Sequence, residues 1–259
     1  MTRDPSMSAS GGLRVTWRTV AQSLGRPYPV TIPMVLLVSM VPFYLVIADR
    51  ARTGVVHAPA LALDRLVPLV PAWALVYGAL YGFLILLPVF VVQQEDLIRR
   101  TVWAYLTVWS VAYVGFLLYP TVAPRPGTVT GDDFAAWGLR FLYDADPPYN
   151  CFPSLHVAHS FISALACSRV HRTLGFIATA SASLVALSTL FTKQHYVVDL
   201  IGGIVLALAA YSVFLHGYSR THAAALDRRL APVLALTVAG IVGLGTVCFW
   251  VAFRPGAKV

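Results

Sequence analysis

Apolar residues in this chain come in long runs, separated by short stretches that hold nearly all of the charge. Seven runs, at 31–48, 72–92, 102–119, 155–168, 173–191, 196–215 and 232–253, approach the ~20 residues that a helix needs to cross a bilayer core. Segments of alternating polarity, the mark of a membrane barrel, do not occur. The pattern therefore predicts helices and no strands, because lipid offers a backbone amide no partner outside its own element. The fourth run is short, and is expected to borrow Arg169 and Val170 or to start inside a pocket. Pro33, Pro42, Pro71 and Pro88 lie in or beside spans, where prolines are tolerated and kinks are expected. The reading is an all-α integral membrane protein, a polytopic helical bundle.

Composition agrees: 58% of the 259 residues are hydrophobic and 12% are charged. Residues 1–30, with Arg3, Arg14, Arg18 and Arg26, read as an N-terminal cytoplasmic arm, and 31–259 as a single polytopic membrane domain. The arm is too long and too polar for an ordinary signal peptide and lacks a small-x-small cleavage site, so the first helix is expected to be retained. With the N-terminus inside, eleven of the 19 lysines and arginines fall in inside segments, and Arg125 and Lys193 have a chemical reason to lie outside. The positive-inside rule then predicts a multi-pass protein of the cell membrane with its polar cluster on the extracytoplasmic face. The net charge of +8 is accounted for by topology and by attraction to anionic headgroups. A nucleic-acid partner is not expected, since no basic stripe interleaved with aromatics lies outside the spans. Cys151, Cys167 and Cys248 do not form a disulfide framework. The long outside loop, 120–152, carries PRPG and DADPPYN and reads as a turn-rich cap without a further helix pair.

Against this apolar background the ionisable residues stand out. Asp199 is the one acid within a predicted span, His156 and His159 are the two histidines within one, and His195 lies at a span's edge. Such groups are expensive in a membrane and are functional candidates by default. His195 and Asp199 are four residues apart and share a helical face, which Gly202 and Gly203 continue, allowing a neighbouring helix to approach closely. A carboxylate on one ring nitrogen fixes the tautomer and leaves the other lone pair free to attack, so His195 reads as a nucleophile oriented by Asp199. Attack on phosphorus would give a phosphohistidine, and His156 is placed to protonate the leaving group. The negative charge of a transferring phosphoryl group needs fixed positive partners, which Arg125, Lys193 and the helix start at Ser154 can supply. His159, three residues after His156, is a possible supporting residue.

Arg125-Pro126, Pro153-Ser154-Leu155-His156 and the His195–Asp199 pair, in that order, resemble the type 2 phosphatidic acid phosphatase superfamily. The resemblance implies a six-helix bundle over spans one to six, residues 31–216, with the helix at 232–253 extra. It also implies a metal-independent enzyme without a cofactor, acting on a membrane lipid, with His195 as nucleophile, His156 as acid and Asp199 as orienter. Three positions depart from the family pattern: Leu118 stands where a lysine is usual, Thr189 where an arginine is usual, and Leu155 where a glycine is usual. Lys193 is expected to take over part of the missing positive charge. Together with HYVVDLIGG, these features are most similar to the branch containing inositol-phosphorylceramide synthases, which pass a headgroup phosphate to an alcohol. The expected function is lipid phosphoryl transfer of that type, the alternative being a lipid-phosphate phosphatase that uses water. Two readings of other kinds are a metal site built from His156, His159, His195 and Asp199, and a transporter that uses Asp199 as a relay.

Overall fold

The structure, a computed structural model, describes residues 32–253. The arm at 1–30 lies outside the described residues. The first apolar run forms two short helices, α1 (Ile32–Ser39) and α2 (Val41–Arg52), separated at Met40, with Pro42 in the first turn of α2. Proline lacks the amide that would continue the ladder, so the break falls just before it. The bundle continues with α3 (Trp73–Val91), α4 (Glu95–Leu118), α5 (Phe134–Ala145), α6 (Leu155–Ser168), α7 (Arg172–Phe191), α8 (Val197–Ala210) and α9 (Ala225–Ala252). A π-helical turn, Tyr211–Leu215, extends α8. No strand occurs among the described residues; two isolated bridges pin the outer loops, His57 to Thr121 and Val122 to Tyr149.

Among the described residues, five helices are long and apolar enough to cross a membrane by themselves: Trp73–Val91, Glu95–Leu118, Arg172–Phe191, Val197–Leu215 and Ala225–Ala252. The first expected span is met by the split pair α1 and α2, and the fourth by the short α6. Two boundaries move outward. The third span starts at Glu95 rather than 102, because Asp96 pairs with Arg99 and Arg100 one turn on and keeps that polar turn helical. The last starts at Ala225 rather than 232, and Pro232 lies inside the helix. The loop expected as a cap of turns holds one amphipathic helix, α5, whose N-terminus is capped by Asp133 accepting from the Ala136 amide at 2.8 Å.

Short α6 is the centre of the bundle, in contact with α3, α4, α7 and α8. Its residues Val157, Ala158, Ile162, Ala164, Ala166 and Cys167 are fully buried. Large apolar side chains on the outer helix faces, such as Phe176, Val213 and Leu236, are more than two-thirds exposed, as expected where the solvent is lipid. The extra helix α9 packs mainly on α3, at the periphery. The close approach expected at Gly202 and Gly203 is present: a Cβ on Gly203 would lie 2.6 Å from the Ser154 carbonyl oxygen, and one on Gly202 would lie 2.9 Å from the Phe152 ring. These two glycines bring α8 against the start of α6, and that junction is where the polar residues gather.

Candidate active site

The α7–α8 corner is built by local hydrogen bonds. The amides of Gln194 and His195 both donate to the Thr189 carbonyl, and Lys193 turns the chain with a φ of +56°. The Asp199 carboxylate then accepts the Tyr196 amide at 2.8 Å, closing the first turn of α8. The same oxygen, Oδ2, lies 3.2 Å from His195 Nδ1, and its partner oxygen Oδ1 is buried without a hydrogen bond. Asp199 thus has two tasks, a structural cap and a partner for the imidazole. Both side chains are buried, Asp199 completely.

With Nδ1–H donating to Asp199, the lone pair of His195 resides on Nε2. That atom faces Ser154 Oγ at 3.1 Å and His156 Nδ1 at 3.2 Å. Ser154 is the N-cap of α6, receiving the Val157 amide on its hydroxyl, and its own amide donates to the Asp199 carbonyl at 3.0 Å. Before it, Thr121 Oγ1 accepts from the amides of Cys151 and Phe152, both at 3.0 Å, and so fixes the entry into α6. The sequence residues His195, His156, Asp199 and Ser154 therefore form one cluster within bonding distance.

Arg125 reaches this cluster through a residue that the sequence reading missed. Asp146 Oδ2 lies 3.8 Å from both Arg125 Nη2 and His156 Nε2, while its Oδ1 accepts the Tyr44 hydroxyl at 2.8 Å. Arg125 Nη1 donates to the carbonyls of Tyr143 (3.1 Å) and Asp146 (2.8 Å), and the guanidinium lies 4.5 Å from the centre of the Tyr143 ring. Its Nε is buried and without a hydrogen bond, leaving a donor for a ligand. Burial pushes the Tyr143 hydroxyl up to about 12, against the lowering effect of Arg125.

Lys193 is not part of the cluster. Its ammonium donates to the carbonyls of Val67 and Asp64 in the loop before α3. That loop is locked onto α8 from the same side, since Asp64 Oδ1 accepts the Val197 amide at 2.8 Å. Asp64 was also missed by sequence reading. His159 stacks on Tyr105 with ring centres 4.3 Å apart, its Nδ1 buried without a hydrogen bond, one turn deeper than His156. The positions that depart from the family pattern carry no charge to the cluster: Leu118 is 80% exposed on the outer face, and the Thr189 hydroxyl is turned onto the Ala186 carbonyl.

Three donor side chains, Cys151, His195 and Asp199, lie with their ligand atoms within 4.8 Å of one another, a grouping able to hold a metal ion. It differs from the four-residue metal set expected from sequence. Burial, and then the Asp199 carboxylate, push the Cys151 thiol well above its ordinary range, which keeps it neutral and a poor ligand as it stands.

Fold and site together define a multi-pass helical membrane protein with a buried His–Asp pair facing a second histidine. The chain matches the PAP2 superfamily over residues 44–213, well over half its length, and belongs to it. It is also similar to a PA-phosphatase related-family protein of Dictyostelium discoideum, 27% identical over 122 residues, covering 42% of this chain and 22% of that protein. The chain thus spans about a fifth of the length of that relative. No solved structure matches it. Membership implies chemistry of the phosphatase or phosphotransferase type. The match ends before α9, which is additional to the family region.

Proposed function

We propose that this protein is a lipid phosphotransferase that moves a phosphodiester headgroup from a lipid donor to an alcohol through a phosphohistidine on His195. The observation that carries this reading is the set of His195 contacts: Nδ1 on Asp199 at 3.2 Å, and Nε2 turned to Ser154 Oγ at 3.1 Å and His156 Nδ1 at 3.2 Å. In the first step His195 Nε2 attacks phosphorus, the bond from phosphorus to the lipid oxygen breaks, and His156 gives that oxygen a proton. In the second step His156 takes the proton of the incoming alcohol, whose oxygen attacks phosphorus while the bond to His195 breaks. Asp199 holds the imidazole and stabilises its cationic form throughout. Arg125 and the amides of Leu155 and His156 at the start of α6 meet the non-bridging oxygens, the Ser154 amide being engaged by the Asp199 carbonyl. Lys193 contributes at longer range from its seat on the Asp64 loop, and His159 supports His156 from below.

Charge supports a phosphodiester over a phosphomonoester. Arg125 is shared with Asp146, and the Lys193 ammonium is directed away from the cluster, onto the carbonyls of Asp64 and Val67. A monoester dianion would enter a buried pocket with too little positive charge to meet it, whereas a diester carries a single charge. The distribution of basic residues supports an active site on the extracytoplasmic face, with the N-terminus in the cytoplasm.

The test is incubation of the purified protein with phosphatidylinositol labelled in its phosphate, or with labelled phosphatidic acid, each with and without a lipid alcohol. The expected outcome is an acid-labile phosphoenzyme, absent in His195→Ala, and a new phosphodiester that requires the alcohol and is insensitive to EDTA. Free phosphate from phosphatidic acid with no diester product would make it a phosphatase. Loss of turnover to EDTA, restored by a metal, would instead favour the Cys151–His195–Asp199 grouping as a metal site.

A further inference from the structure

Beside the cluster, α2, α3, α4 and α6 enclose a cavity of about 140 Å³. Its lining includes Tyr44 from α2, Tyr81 from α3, Trp109 from α4, and His156 and His159 from α6, with Asn150 from the segment before α6. The cavity adjoins the reacting groups through His156, which belongs to both: it lines this wall, and its Nδ1 lies 3.2 Å from His195 Nε2. Tyr44 is a second shared residue, since its hydroxyl donates to Asp146, the carboxylate that lies between Arg125 and His156.

Three of the lining residues carry a buried polar atom that makes no hydrogen bond among the described residues: Trp109 Nε1, Asn150 Oδ1 and His159 Nδ1. Their characters differ. The indole nitrogen can only donate. Asn150 Nδ2 donates to the Tyr44 carbonyl at 3.0 Å, which fixes the orientation of the amide and makes its free atom an acceptor. The imidazole nitrogen gives or takes a hydrogen bond according to its tautomer. The rest of the wall is largely aromatic, with Tyr81 edge-on to His156 at 5.1 Å and Trp109 6.2 Å from His159 between ring centres. No aspartate, glutamate, lysine or arginine lines the cavity.

A donor, an acceptor and a nitrogen of either kind, in a wall without fixed charge, select an uncharged partner that both gives and takes hydrogen bonds. Hydroxyl groups do both. A hydrocarbon chain would leave all three atoms unpaired, and so would the methylated ammonium of a choline. An anionic group would meet the Asn150 oxygen with no cation to offset it. Aromatic walls with a few placed polar atoms are the ordinary make-up of a small-molecule site.

We propose that this cavity is the subsite for an uncharged, polyhydroxylated headgroup carried on the donor's phosphodiester, held by Trp109, Asn150 and His159. The proposal rests on the phosphotransferase reading above and names the group that is transferred. That headgroup keeps its ester bond to phosphorus through both steps, while the lipid oxygen leaves and the acceptor oxygen enters. Those two oxygens are served by His156 itself, so three further polar atoms exceed what the single hydroxyl of an acceptor lipid uses and match a group with several. The atoms are set back in the wall, and the side chains that carry them turn as the headgroup is seated. The supporting role of His159 is then a contact with substrate.

The test uses the full chain in detergent micelles and four lipids. Phosphatidylinositol and phosphatidylglycerol carry polyols, phosphatidylethanol has the same single charge without a hydroxyl, and phosphatidylcholine carries the methylated ammonium. Wild-type kcat/KM should be higher for a polyol lipid than for phosphatidylethanol by about ten-fold or more. Trp109→Phe keeps an aromatic ring and removes the donor; it should lower kcat/KM for the polyol lipid by about ten-fold and leave phosphatidylethanol at its wild-type value. Trp103→Phe, at an exposed position of the same helix, should change neither. Equal losses on every lipid in Trp109→Phe, no loss on any, or a wild-type preference for phosphatidylcholine would overturn the proposal. So would a diester formed from free myo-inositol with phosphatidylethanol as donor and lost in Trp109→Phe, since that assigns the cavity to the acceptor. A second readout needs no turnover. Phosphatidylinositol with a fluorophore on its acyl chain is bound to the His195→Ala variant and followed by anisotropy. Unlabelled polyol lipid should displace it at a concentration about ten-fold lower than phosphatidylethanol does, and adding Trp109→Phe should abolish that difference. Equal displacement by both lipids before that addition would refute the subsite. If the wild-type protein turns over none of the diesters, the phosphotransferase reading fails in the kinetic arm and displacement decides the subsite by itself.

Discussion

Replacing Asp199 by asparagine removes one charge from the buried corner and almost nothing else. The oxygen at Oδ2 can still accept the Tyr196 amide and the His195 Nδ1–H, since the reversed amide would set an N–H against two donors. The new NH₂ group takes the place of Oδ1, which is buried and without a hydrogen bond. Leaving that group unpaired costs about 1–3 kcal/mol of stability. The effect on rate is larger. At the observed 3.2 Å, with an effective dielectric of about 20, a carboxylate and an imidazolium attract by roughly 5 kcal/mol. At about 1.4 kcal/mol per factor of ten, losing that attraction as His195 becomes cationic lowers kcat by on the order of 10³ to 10⁴. A loss of about 10⁴ accompanies the same change in a Ser–His–Asp triad. The assay is diacylglycerol release from phosphatidylinositol, with phosphatidic acid in parallel, alongside thermal unfolding in detergent. A variant that folds and keeps more than a tenth of wild-type kcat would refute the role given to Asp199.

Two further substitutions address the other members of the site. His156→Ala should slow release of diacylglycerol by about 10² to 10⁴, the range for a lost general acid, yet leave a diester with a p-nitrophenol leaving group much less affected. Equal losses on both, measured by single-turnover kinetics, would remove His156 from the proton transfer. Gly203→Ala would place a Cβ 2.6 Å from the Ser154 carbonyl and force α8 away from α6, with a stability loss of about 1–3 kcal/mol and a fall in activity larger than that loss explains. Thermal unfolding and kcat, compared at one temperature, check it; an unshifted midpoint with full activity would show the contact to be slack.

What could be read in the sequence was whatever is local in the chain. His195 and Asp199 are four residues apart, which read as one helical face; in the structure His195 precedes α8, and the pair meets because Asp199 caps the first turn and turns back to the residue before it, while the helix start at Ser154 sits two residues before His156 as its sequence suggested. Asp146 and Asp64 could not be found this way. Each lies in a connecting segment, Asp146 among the polar residues of DADPPYN and Asp64 in a short turn beside Arg65, and acquires its meaning only when that segment is folded against His156 or the start of α8. The signal for α5 was present in the spacing of Phe134, Trp137, Phe141 and Leu142, but it was outweighed by the proline, glycine and aspartate content of the whole loop. Lys193 shows where nearness in sequence stops being a guide to position. Its position two residues from His195 suggested a shared task, but its φ of +56° belongs to a turn that sends the ammonium to the Asp64 loop.

The way the two helix starts are capped bears on where the phosphate sits. The N-termini of α6 and α8 meet at one point, linked by the bond from the Ser154 amide to the Asp199 carbonyl. Each carries a partial positive charge of about half a unit. The start of α8 is already met by two carboxylates, Asp199 on Tyr196 and Asp64 on Val197. The start of α6 is met only by the neutral hydroxyl of Ser154. An anion entering this corner is therefore repelled from α8 and drawn to α6, the side on which His156 stands and toward which His195 Nε2 is turned. This field compensates in part for Leu118 and Thr189, where the family usually carries cations. Together with Arg125, whose charge is shared with Asp146, this field supports the proposed phosphodiester, which brings one negative charge, over a monoester dianion.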